Sequence, residues 1–229
     1  MKIHVVRSGD TLGRIALKEY GDAGKAKMLA DYNGITNLNL IKVGWILHMP
    51  KVSELTAPAV SEEIEPIGPK VPHGHEEIVK TFGNIYSAIK PDMTLSPAFA
   101  SKHFGRVKLP FAIPLSWAPD KKVLNMYCHK KLKDVFFAVF DEIRRKRLKK
   151  HVQTFGGCYN LRYKRKGNRL STHSWGIAID LNVATNQMGS PGDMNEKVVE
   201  IFEKYGFKWG GDWKGAYHDP MHFQYCTGY

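Results

Sequence analysis

The stretch Ser171-Thr172-His173-Ser174-Trp175-Gly176-Ile177-Ala178-Ile179-Asp180-Leu181 sets a histidine before an apolar run that closes on a carboxylate. An aspartate between Ile179 and Leu181 loses much of its hydration if it stays ionised in a core, so a cationic partner is expected against it. Further on, Tyr217-His218-Asp219-Pro220-Met221-His222-Phe223-Gln224-Tyr225 supplies a second histidine and a second carboxylate, beside a run that alternates like a half-buried strand. Two histidines and one aspartate from two strands make a three-ligand metal site. That donor set suits zinc with its fourth position left to water, whereas an all-oxygen set would point to calcium or magnesium. Zinc-bound water has a pKa of about 7, and the ion also polarises a carbonyl under attack. Asp219 precedes His222 by three residues with Pro220 between them, which disfavours a helix and favours a loop feeding a strand. From such a loop Asp219 can take the water's proton and pass it to a leaving amine.

The pattern S-x-H-x-x-G-x-A-x-D, followed by Asp-x-x-His-Phe, resembles the zinc peptidases of the Hedgehog/DD-peptidase fold. These include D-alanyl-D-alanine carboxypeptidases and phage L-alanyl-D-glutamate endopeptidases. The likeness extends to Gly156-Gly157-Cys158-Tyr159-Asn160-Leu161-Arg162 and to Trp209-Gly210-Gly211-Asp212-Trp213. It implies Zn2+ held by His173, Asp180 and His222, with Asp219 as general base where many members carry Glu. It also implies an oxyanion-stabilising arginine at Arg162 and a substrate-contacting serine at Ser171. The usual glycine-tyrosine-arginine spacing is stretched here, so Arg165 remains a rival for the arginine's role.

Several elements must position these residues. The spacing of Leu132, Val135, Phe136, Val139, Phe140 and Ile143 predicts a long helix over 127–147, with His129 on it as a surface or capped side chain. Asp193-Met194-Asn195-Glu196 reads as a cap with Glu three residues on, starting a helix that buries Val198, Ile201, Phe202 and Tyr205 and stops at Gly206. Trp209, Trp213 and Tyr217 read either as core aromatics or as walls of a substrate cleft; Trp213 and Tyr217 are taken as substrate-binding. His218, beside the base, is a second candidate proton shuttle. Prolines 110 and 114 exclude Leu109–Leu115 from a central strand and suggest that it wraps the core.

The first fifty residues read as strand, helix, helix, strand. The start Val6-Arg7-Ser8-Gly9-Asp10-Thr11-Leu12, the centre Tyr32-Asn33-Gly34-Ile35 and the ending Gly44-Trp45-Ile46-Leu47-His48-Met49-Pro50 resemble the LysM module. The resemblance implies binding to the N-acetylglucosamine chains of peptidoglycan or chitin, through Gly9, Asp10, Thr11, Leu12, Asn33, Gly34 and Ile35. The alternative is that these are turn and cap residues only. Residues 51–74, rich in Pro and Glu and poor in large apolar groups, read as a flexible linker that tethers the module to its partner. The expected fold is therefore α+β: a small βααβ domain over 1–50, the linker, and over 75–229 a peptidase domain with an antiparallel sheet and flanking helices.

Composition narrows the partners. The formal charge of +12 invites nucleic acid, but many positives fall in Arg144-Arg145-Lys146-Arg147-Leu148-Lys149-Lys150 at a helix end, where the helix dipole and water accommodate them. No nucleic-acid motif accompanies them, and an acidic envelope surface explains the charge equally well. Three cysteines, Cys128, Cys158 and Cys226, argue against a disulfide framework and lack zinc-finger spacing. Neither a secretory signal nor a membrane span is expected, so the chain would reach the wall or periplasm by holin-type release, injection or phage delivery. The expected activity is hydrolysis of the peptidoglycan peptide stem by a monomeric endopeptidase of endolysin or effector type. A D-alanyl-D-alanine carboxypeptidase and a non-catalytic wall-binding or phage tail protein are the alternatives.

Overall fold

A computed structural model describes residues 2–33, 35, 38, 41, 43–52, 67–164 and 168–229. Gly34, Arg165 and the linker stretch 53–66 lie outside the described residues. The chain divides into two compact units, Met1–Glu63 and Ile64–Tyr229.

In the first unit, β1 (Lys2–Val5) pairs antiparallel with β2 (Ile46–Met49), Val5 opposite Ile46. Helix α1 (Leu12–Tyr20) starts where the Thr11 hydroxyl accepts the Arg14 N–H, and it ends on Gly21 at φ 70°, a left-handed stop that glycine adopts without strain. Leu12, Ile15 and Ala16 recur at helical spacing, and all three are buried with Leu29 and Ala30 of α2 (Ala26–Tyr32) and with Leu47 and Met49 of β2. A short 3-10 turn, Ala23–Lys25, fills the break between the helices, capped by the Asp22 carboxylate on the Gly24 N–H.

The second unit is built on six strands in the order β4-β3-β5-β6-β8-β7. They are β3 (Phe104–Leu115), β4 (Ala118–His129), β5 (Phe155–Gly157), β6 (Ala178–Leu181), β7 (Lys208–Trp209) and β8 (His222–Gln224). All pairs are antiparallel except the single β3–β5 contact at Leu115–Phe155. Around the sheet lie α3 (Gly74–Phe82), α4 (Pro97–His103), α5 (Lys133–Arg145) and α6 (Glu196–Lys204). Helix α5 buries Val135, Phe136, Val139, Phe140 and Ile143. Phe140 meets Phe202 of α6 edge to face, and Phe202 stacks on Phe223 of β8 with ring centroids 4.2 Å apart. Since side chains alternate along a strand, the Phe223 clamp in the core turns His222 and Gln224 to the opposite face of β8. Glu142 of α5 is buried between Lys146, Lys204 and the Tyr205 hydroxyl and ties α5 to α6.

Four sequence expectations need correction. Leu109–Leu115 is a strand inside the sheet order: the β3–β4 register breaks between Lys108 and Ile113, which absorbs Pro110, and the other side of β3 pairs only at Leu115, so few ladder bonds are demanded of its prolines. The helix predicted over 127–147 begins at Lys133, because Tyr127–His129 finish β4 and Lys130–Leu132 form a 3-10 turn. Of the two readings of His129, the capping one holds: its ring accepts the Lys131 N–H at the start of that turn and also meets the Phe82 carbonyl, but it is 1% exposed and not on the surface, and burial pushes its pKa down to about 4. The cap of α6 is Asn195, while the Asp193 carboxylate accepts from Thr185 and Asn186 instead. Residues 67–74, read as the tail of the linker, run along the second unit, where Tyr225 donates to the Pro69 carbonyl and Thr227 N–H to Pro72.

Candidate metal centre

The motif residues occupy a turn followed by a strand. Ser171 caps the 3-10 turn Thr172–Trp175 with its hydroxyl on the His173 N–H, and Gly176 ends it at φ 62°. A Cβ at 176 would lie 2.9 Å from the His129 nitrogen and 3.1 Å from the Phe104 ring, so both the backbone angle and the space demand glycine. Trp175, fully buried, donates to the Gly83 carbonyl and pins the turn against α3's end. The chain then enters β6, where Asp180 stands opposite His222 of β8 on one side and Gly157 of β5 on the other. Gly156 lets β5 come this close, since a Cβ there would sit 2.9 Å from that of Asp180.

Turn and strands bring three side chains to one point. His222 Nδ1 lies 2.9 Å from Asp180 Oδ1, His173 Nε2 lies 3.2 Å from the same oxygen, and the two ring nitrogens are 3.2 Å apart. Three ligand atoms bound tetrahedrally at zinc's ~2.0–2.1 Å would stand roughly 3.3 Å from one another, so the triangle fits such an ion in both size and donor type. Among the described residues these three form the group able to hold a metal. Burial alone would push the Asp180 carboxyl up, but attraction to His173 and hydrogen bonds with both imidazoles outweigh it together and hold the carboxyl far below its ordinary range. Burial works against the imidazolium form of His222, yet Asp180 and, more weakly, Asp219 together raise its pKa. His173 Nδ1 lies 2.9 Å from the Cys158 carbonyl and His222 Nε2 lies 3.2 Å from Gln224 Oε1, contacts that orient both rings.

A cleft of about 1090 Å³ opens over this point. Asp219 lies in its wall beside Asp180 and His222, with its backbone N–H on the Gly210 carbonyl at 2.9 Å. A Cβ at Gly210 would collide with the Asp219 carbonyl oxygen, and Trp209 donates its indole N–H to Pro220 at 2.7 Å, so the Trp-Gly-Gly segment seats the Asp219 loop. Arg162 and Ser171 line the cleft, as do Trp213 and Tyr217. Trp213 lies half-buried with its ring 5.5 Å from that of His222, whereas Tyr217 is 67% exposed at the rim. The Ser171 hydroxyl is already engaged in capping. His218 Nδ1 faces the Trp213 carbonyl at 3.2 Å, so that nitrogen holds the loop. Sequence reasoning missed the Cys158 carbonyl, Thr172 and Gln224 around the two histidines; for Gln224 the signal was its place two residues after His222, on the same strand face.

Residues 165–225 match the D-alanyl-D-alanine carboxypeptidase family model. Residues 4–50 match the LysM domain. The two matches carry the same architecture that the motifs imply, and together they support a peptidase acting on peptidoglycan. No helix among the described residues is long and apolar enough to cross a membrane.

Within the LysM segment the expected sugar-binding residues are largely occupied with structure. The Asp10 carboxylate takes the Arg7 N–H and the His4 ring, and Thr11 caps α1. Asn33 bridges the Leu29 carbonyl to both backbone groups of His48. Leu12 and Ile35 are core residues, so here these loops offer a ligand mainly their backbone and the open side of Gly9. Elsewhere, the basic run at the end of α5 is partly neutralised, since Asp141 pairs with Arg144 and Arg145, and Glu142 pairs with Lys146. All three cysteines are buried thiols; burial pushes Cys128 and Cys226 up to about 12 and Cys158 well above its usual value, which suits packing and not nucleophilic attack.

Proposed function

We propose that the protein is a zinc-dependent endopeptidase of the peptidoglycan peptide stem, with a glycan-binding module over 1–50 and a peptidase domain over 75–229 against which residues 67–74 also pack. The observation that carries this reading is the triangle of His173, Asp180 and His222 ligand atoms at 2.9–3.2 Å, opening onto a cleft that also holds Asp219. A zinc ion bound there supplies a water of lowered pKa and a Lewis acid for the scissile carbonyl. Asp219 accepts the proton of the attacking water at its carboxylate and returns it to the departing amine. Arg162, from the cleft wall, offers its guanidinium to the negative charge that develops on the carbonyl oxygen. The Trp213 ring beside His222 and the exposed Tyr217 at the rim provide flat apolar surface for the stem, and Ser171 holds the turn that presents His173.

The size of the cleft favours internal cleavage: about 1090 Å³ is at the upper end of small-ligand sites and accommodates stem residues on both sides of the cut bond. The family match favours the second reading, a D-alanyl-D-alanine carboxypeptidase, for which the Arg162 and Lys164 cations in the cleft would receive the terminal carboxylate. Digestion of purified peptidoglycan by the wild type and by Asp219→Asn, with mass spectrometry of the products, separates the readings. New amino termini inside the stem support the endopeptidase. Free D-alanine as the only product selects the carboxypeptidase, and no product with zinc present rejects both.

A further inference from the structure

His173 meets the three-atom cluster through Nε2 and His222 meets it through Nδ1. For both rings to aim a lone pair at one cation, their protons must sit on opposite nitrogens. In His173 a main-chain group makes that choice, because Nδ1 faces the Cys158 carbonyl, which can only accept. In His222 the corresponding nitrogen, Nε2, faces Gln224 Oε1 at 3.2 Å and the Thr172 hydroxyl oxygen at 3.4 Å. The far end of the Gln224 amide decides which of its atoms points at the ring. That end lies 3.4 Å from the Cys226 carbonyl, another group that only accepts, so the NH2 must face Cys226 and the oxygen must face His222. Thr172 donates its hydroxyl proton to the same amide oxygen at 3.3 Å and keeps a lone pair for the imidazole. Gln224 is 4% exposed, Thr172 2% and His222 7%, so water does not readily replace a lost acceptor, and an imidazole N–H left without one carries a desolvation cost.

We infer that Gln224 is a positioning residue that accepts the His222 Nε2–H when a cation takes the place of the Nδ1 proton, which otherwise faces the ionised Asp180 at 2.9 Å, and so frees the Nδ1 lone pair for that cation. This rests on the zinc reading above. The fold does not depend on the amide, because β8 is clamped on its other face by Phe223 against Phe202.

The test compares Gln224→Met, which keeps the side-chain length without an acceptor, with Gln224→Glu, which keeps the acceptor. Long-range 1H–15N spectra of the zinc-loaded protein read which His222 nitrogen carries the proton. Zinc titration against a chromophoric chelator reads affinity. Wild type and Gln224→Glu should show the Nε2–H form, and Gln224→Met a mixture with a Kd for zinc weaker by about 10–100-fold. Should Gln224→Met lose its cooperative melt, Gln224→Ala repeats the comparison. A folded Gln224→Met with the wild-type tautomer and a zinc Kd within about twofold would overturn the inference. If the wild type itself binds no zinc, the metal reading fails and the inference with it; if the wild type binds zinc and Gln224→Met binds it equally well, the inference alone fails.

Discussion

Replacing Gly176 by alanine puts a methyl group into a left-handed backbone, φ 62°, at a point where the nearest atoms are the His129 nitrogen at 2.9 Å, the Phe104 ring at 3.1 Å and the Cys128 carbonyl carbon at 3.2 Å. Two of these neighbours are main chain in β4 and the third is a buried ring, so none can swing aside. The backbone angle costs a non-glycine residue about 1–2 kcal/mol and overpacking a core costs about 1–3 kcal/mol, for a sum of about 2–5 kcal/mol. At the size of the second unit that corresponds to a fall in Tm of roughly 5–15 °C. Gly189→Ala is the internal control: its φ of 83° carries the same backbone cost, but no heavy atom lies within 4 Å of its added Cβ. Its Tm should fall by no more than about 5 °C. Thermal melts of both variants, with zinc titration at a temperature where each is folded, check this. The Gly176 variant should also bind zinc more weakly, because the turn it distorts carries His173. Equal Tm values for the two alanine variants would refute the claim that close approach, and not the backbone angle alone, fixes glycine at this motif position.

Three further outcomes follow from named contacts. Burial would raise the Glu142 pKa, but Lys146, Lys204 and Tyr205 together outweigh it and lower it from 4.5 to about 2. A lowered folded pKa means that the stabilisation is complete above about pH 4.5 and disappears as pH falls towards 2. It is on the order of 1–2 kcal/mol after allowing for solvent around the two lysines, so urea midpoints of the wild type should drop more than those of Glu142→Gln across that window. Asp219→Asn should lose about 10²–10⁴-fold in the rate of stem hydrolysis while its zinc affinity stays within a few-fold of wild type; retained activity would remove Asp219 from proton transfer. Native protein should leave Cys128, Cys158 and Cys226 unmodified by a thiol reagent that labels all three in denaturant, and rapid labelling of folded protein would contradict their burial.

The convergence of His173, Asp180 and His222 was legible because a carboxylate between Ile179 and Leu181 calls for a cationic partner, and because Pro220 between Asp219 and His222 disfavoured a helix. Apolar stripes gave the core faces of α1, α5 and α6 for the same reason, since a repeat near four residues has one physical cause. Where sequence reasoning failed, the deciding partner was remote. Pro110 is tolerated in β3 because the β4 register slips beside it, a property of the pair and not of either strand. His129 sits on a residue run with helical spacing, yet it ends a strand, held by the Phe82 carbonyl from α3. Asp193 has the spacing of a helix cap, but Thr185 and Asn186 compete for its carboxylate. Gln224 looked like one more strand residue until Thr172 and Cys226 were seen to fix both ends of its surroundings.

The central claim is that one ion is held by His173, Asp180 and His222, and X-ray absorption at the zinc edge of the zinc-loaded protein tests it most directly. The account predicts one tightly bound zinc per chain, with a shell of nitrogen and oxygen atoms only, at about 2.0–2.1 Å, including two imidazoles. Sulfur scattering at about 2.3 Å, or no stoichiometric zinc at all, would contradict it.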